Sequence, residues 1–142
     1  MLDSDFYINE PATSGQAVAL DTALANTVTV ASGTMPVIGL LAQDVTQSGP
    51  TFVLGSVSPL AKVGDKVGVY MGPGHFLTDQ LSSSCNIGDL LYLDPNNPGQ
   101  LTNIQPSGGV AVARATSASG AVSETVFGTV YTLTRIYFFG GH

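Results

Sequence analysis

The sequence predicts an all-β protein: a small antiparallel β-barrel or sandwich with long loops and an extended N-terminal arm. Three observations carry that prediction. Short runs alternate apolar and polar residues with a period of two. Gly, Pro, Asn, Asp or Ser punctuate the chain between the runs. No window of about eleven residues or more keeps the i, i+3, i+4, i+7 apolar stripe of a helix without a breaker. Roughly eight strands at this spacing close into a barrel or stack as a sandwich.

Taken in order, Met1–Thr13 mixes acidic and aromatic residues and ends near Pro11, which reads as an arm. A single domain is expected over 14–142. Its strands are expected at Ala17–Leu20, Thr27–Ala31, Val37–Ala42, Phe52–Val57, Val67–Met71, Leu90–Leu93, Val110–Ala113 and Thr125–Leu133. Asp21–Asn26 has room for one helical turn before Thr27 resumes the strand pattern. Gly15-Gln16, Gly64-Asp65 and Gly88-Asp89 each open a turn that runs into an alternating strand. The third continues through Pro95-Asn96-Asn97-Pro98-Gly99 into Gln100-Leu101-Thr102, a hairpin with Gly99 as the left-handed residue. Ala115–Glu124 is small and polar, and is expected to be a mobile loop. In Ile136–Phe139, strand alternation puts Tyr137 and Phe139 on one side and Ile136 and Phe138 on the other. One side serves the core; the other calls for a partner.

Composition narrows the function. The chain has 142 residues, 44% hydrophobic but only 10% charged, against about 25% in an ordinary soluble domain. So few charges favour a chain that lives in an assembly. The net charge is −6 and the four bases, Lys62, Lys66, Arg114 and Arg135, do not cluster in sequence. Phosphate backbones and anionic membranes both demand clustered Lys/Arg, so neither nucleic acid nor membrane is an expected partner. The acidic start, Met1-Leu2-Asp3-Ser4-Asp5, lacks the basic and apolar regions of an export signal. The lone Cys85 fits synthesis in a reducing cytoplasm.

Catalytic chemistry is not expected. There is no phosphate-binding Gly loop, nucleophile elbow or zinc-protease motif. Cys85 and His75 form the one arithmetically available nucleophile pair, against the plainer reading of a buried thiol near a loop histidine. Asp21, Asp65, Asp89 and Asp94 sit at strand–turn borders, where aspartate accepts hydrogen bonds from turn backbone. Asp3, Asp5 and Glu10 read as solvated charges on the arm. No catalytic residue, cofactor or metal ligand is assigned. The candidate interface residues are Leu2, Phe6, Tyr7 and Ile8 in the arm, with Ile136, Tyr137, Phe138 and Phe139 near the C-terminus; the alternative is that Phe6, Tyr7, Phe138 and Phe139 close the barrel as edge strands. Removing Met1–Glu10 is expected to weaken attachment more than it lowers the melting point.

Ile87-Gly88-Asp89-Leu90-Leu91-Tyr92-Leu93-Asp94, the Pro95–Gly99 turn, Gln100-Leu101-Thr102 and Gly109-Val110-Ala111-Val112-Ala113 make up one pattern. It resembles the small capsid cement, or decoration, proteins of tailed bacteriophages. Ser14–Val18 and Val37–Ala42 extend the likeness more faintly. The chain departs from it in Ala115–His142, where such proteins end in a short Val-rich strand. The resemblance implies a non-enzymatic virion protein on the outer surface of an icosahedral head, bridging capsomers. Its implied partners are the major capsid protein and further copies of itself, a trimer before a dimer. The alternatives are another virion β module, such as a tail-tube or fibre-base subunit, and a carbohydrate-binding or hydrolase-associated domain.

Overall fold

A computed structural model describes residues 2–33, 35–46 and 61–140. Among them there is no helix, and the protein is all-β. Five strands close into a barrel, and six more form a second sheet beside it.

The barrel strands are β1 (Leu2–Ile8), β2 (Ala17–Leu20), β3 (Thr27–Val30), β4 (Gly39–Leu41) and β7 (Lys66–Tyr70). β1 closes it, lying parallel to β3 with Tyr7 opposite Thr27, and antiparallel to β7 with Phe6 opposite Val67. The segment read as an arm is therefore a structural strand. Ile8 is fully buried inside the barrel with Val18, Val28, Leu41, Val67 and Val69. Glu10, read as a solvated charge, accepts hydrogen bonds from the Val30 amide and the Thr29 hydroxyl, both at 3.0 Å. It fastens the chain after β1 to β3.

β2 explains how two layers share one strand. Val18 points into the barrel core, while Ala17 and Ala19 enter a second core between the barrel and the other sheet. Successive side chains leave a strand on opposite faces, so a strand buried on both sides reads as continuously apolar. β4 approaches β7 very closely. A Cβ on Gly39 would lie 2.5 Å from both the Tyr70 carbonyl oxygen and Val69 Cγ1, closer than such atoms approach. Glycine is what lets these two strands pair.

A short parallel pair, β5 (Val45–Thr46) and β6 (Ala61–Lys62), flanks the barrel. The strand expected at Phe52–Val57 lies outside the described residues. The second sheet contains β8 (Gly74–Thr78), β9 (Leu90–Leu93), β10 (Leu101–Thr102), β11 (Ala111–Ala115), β12 (Val122–Val126) and β13 (Thr129–Phe138). β9 and β10 form the expected hairpin, with Leu101 opposite Leu93, and Gly99 has φ +77°. Asp21–Asn26 forms turns and bends rather than a helical turn, with the Ala23 amide donating to Asp21 Oδ1 at 2.8 Å.

Two expectations change here. The run Thr125–Leu133 is not one strand but the tip of a hairpin: Val126 pairs with Thr129, leaving Phe127 and Gly128 as a two-residue turn. Both have positive φ, +49° and +80°, as a type I′ turn requires. The loop expected at Ala115–Glu124 is shorter, because Ala115 ends β11 and Val122 opens β12. What remains is held by hydrogen bonds from the Thr116 amide to Arg135 O and from the Gly120 amide to Thr134 Oγ1.

β13 organises this half. Its last residues lie between β11 and β8, with Phe138 opposite both Ala113 and Gly74, while its first residues pair only with β12. Phe138 and Ile136 are fully buried in the core between the layers, beside Leu91, Val112 and Cys85.

Candidate interaction surface

The eight sequence-predicted interface residues separate into core and surface. Ile8, Ile136 and Phe138 are fully buried and are corrected to core residues. The physical reason is the alternation itself: Ile8 faces the barrel interior, and Ile136 and Phe138 lie on the face of β13 covered by the other layer. Phe6 is half-buried against the barrel core. Leu2 lies on β1 opposite Tyr70. Tyr7 is 40% exposed, with Lys66 Nζ 5.4 Å above its ring. Tyr137 is half-buried and Phe139 is 38% exposed.

Tyr137 and Phe139 come together as expected from alternation. Their ring centroids are 6.0 Å apart, and His75 on β8 meets Tyr137 edge-on at 5.1 Å. Tyr137 sits between His75 on β8 and Arg114 on β11, its register neighbours. Arg114 donates to Gly88 O at 2.8 Å. The outer face of the second sheet thus carries an aromatic row with a cation beside it. Aromatic side chains that expose a face while one edge is supported are efficient contact residues, since little rotamer freedom is left to lose. Tyr7 belongs to the barrel and is not part of this row.

The composition reading missed the β12–β13 hairpin tip. Phe127 is 89% exposed, Val130 66%, and Tyr131 is exposed as well. A left-handed backbone costs a residue with a Cβ roughly 1–2 kcal/mol, and Asn or Gly is the usual occupant of this turn position. Phenylalanine is thus held there against a backbone preference, with its ring in solvent. The sequence signal was Phe127-Gly128 inside a β-prone run, masked because the run itself alternates well.

A cavity of about 490 Å³ opens at the other end of the second sheet, lined by Met35, Pro36, Leu93, Pro95, Pro106 and Val110 among others. No residue lining it is charged.

The groups with chemical potential are otherwise engaged. Cys85 is buried between the layers, its amide donating to Ser119 Oγ, while the His75 ring meets Tyr137 edge-on. The two share no site. Among the described residues no group of three or more His, Cys, Asp or Glu is placed to hold a metal ion.

Asp89 and Asp94 act as turn locks, as expected. Asp94 accepts from Ser82 Oγ, from the Asn96 amide at 2.8 Å and from Asn97 Nδ2 at 3.0 Å. The Ser82 hydroxyl, then the Asn96 amide, hold its carboxyl below the ordinary value of 3.8. Asp89 is lowered likewise, first by the Asn86 amide and then by the Asn103 side chain. A depressed folded-state pKa contributes stability that is present above the unfolded value and is lost as pH falls through the folded one. The melting temperature is expected to stay level from pH 7 to about 5 and to fall below about pH 4. Asp94→Asn should flatten that acid limb, as thermal melts across the pH series will read; an unchanged limb would remove Asp94 from the account.

The chain matches no protein-family model, and no curated protein is significantly similar to it.

Proposed function

We propose that this chain is a cement protein of a tailed-phage capsid, seated on the outer surface of the head and bridging capsomers. Its partners in this reading are the major capsid protein and further copies of itself. The observation that carries the reading is the strand–turn–strand pattern of Ile87–Ala113.

The way that pattern folds supports it. Asp89, Asp94, Asn97 and Asn103 are engaged in hydrogen bonds within the loops they lock, so the motif's polar residues serve architecture. What the second sheet offers outward is the His75–Tyr137–Phe139 row. A net charge of −6 suits a position away from packaged DNA, which repels carboxylates. A ligand that binds only the assembled lattice stabilises it by mass action, and several copies reinforce one another through effective concentration.

Purified virions should contain the chain by mass spectrometry. Particles stripped of it should lose heat resistance and regain it on re-addition. Retention in 1 M salt is expected, since attachment by apolar contacts is insensitive to a screening length of about 3 Å. Equal survival of bare and decorated particles would sink the cement role. Labelling confined to tails would favour the tail-module alternative instead.

A further inference from the structure

The geometry points to a head-to-tail contact between copies of this chain, in which the Phe127 tip of one copy enters the apolar cavity of the next. This deepens the self-association named above, but it concerns the isolated chain and does not require the shell.

The two surfaces lie at opposite ends of one sheet. Phe127 lies two residues before the start of β13, and the cavity residues Val110 and Val112 lead into Ala113, which pairs with Phe138 at the end of β13. Ten residues of strand separate those ends, roughly 30 Å at about 3.3 Å per residue. A copy therefore cannot fill its own cavity. A volume of about 490 Å³ lies in the range of apolar ligand pockets, with room for an aromatic ring and an adjoining aliphatic side chain.

Chemistry matches shape. The cavity lining carries no charge, and across Val122–Leu133 the only charged residue is Glu124. An acidic or basic partner would find nothing to pair with in the cavity, and only Glu124 on the tip hairpin. A surface as poor in charge as this chain's own does fit. Val110 stands at the cavity, 67% exposed, as Phe127 and Val130 stand at the tip. Exposed apolar side chains thus stand on both patches. The contact uses two different patches, so it is heterologous and repeats until a ring closes or a filament grows.

Two substitutions test it. Phe127→Asn removes the ring while giving the turn its preferred Asn-Gly pair, so folding is preserved. Val110→Glu puts a charge at the cavity and leaves the tip intact. By light scattering at about 100 μM, the unmodified chain should exceed the 14.5 kDa monomer mass, and each variant alone should be monomeric. Mixed in equal amounts, the variants retain one good tip and one good cavity, and should form a heterodimer that grows no further. A monomeric unmodified chain, a Phe127→Asn protein that associates as before, or a mixture that stays monomeric would each overturn the contact. Particle binding is read separately: variants that lose self-association but still bind particles leave the cement reading standing, and an unmodified chain that self-associates but does not bind particles leaves the contact standing.

Discussion

Deleting Met1–Glu10 should abolish cooperative unfolding of the protein. β1 is paired on both edges, to β3 and β7, and its loss opens the barrel along two strands at once. Ile8 leaves a hole in the barrel core, and the Glu10 bonds to β3 disappear. The sequence leads to the expectation of a larger effect on attachment than on melting; pairing on both edges of β1 predicts the opposite ranking. Ile8→Ala isolates the packing contribution and should cost about 2–5 kcal/mol, the range for truncating a buried aliphatic side chain. Circular dichroism melts read both. A truncated chain with an unchanged melting temperature would return the segment to the status of an arm.

Phe138→Ala and Phe139→Ala should behave as opposites, although the residues are adjacent. Phe138 is fully buried and meets Phe76 nearly edge-on, with centroids 6.2 Å apart. Phe76 in turn contacts Tyr70 of the barrel at 5.3 Å, so this chain of rings ties the two layers together. Truncating Phe138 is expected to cost about 3–5 kcal/mol. Phe139 touches Tyr137 at the surface, and its loss should cost less than about 1 kcal/mol. Denaturant unfolding of both variants checks the pair. Comparable losses would mean that the outer aromatic row holds the fold rather than facing a partner.

Much of this architecture was legible because period-two alternation and turn residues act locally. Leu90–Leu93 and Ala17–Leu20 are strands at the expected bounds, and Gly99 takes the left-handed conformation its loop demanded. The Tyr137/Phe139 against Ile136/Phe138 division followed from alternation alone. What escaped depends on distant pairing or on a turn that defies propensity. Phe6 and Ile8 alternate with Asp5, Tyr7 and Asn9, yet nothing near them announces β3 and β7 as partners. Gly72-Pro73-Gly74 disguised β8, whose pairing with β13 is long-range. The Phe127 turn stayed hidden because aromatic residues favour strands, and this one sits at positive φ.

The closure of the barrel by β1 also sets an order of events during synthesis. Tyr7 must wait for Lys66, its partner on β7, to leave the ribosome. At roughly 5–20 residues per second that delay is between about 3 and 12 s. β3, its parallel partner in the folded barrel, emerges far sooner, but pairs only one edge of β1. The barrel cannot close until β7 arrives, and until then the other edge of β1 is an unpaired strand edge through which neighbouring chains can exchange strands.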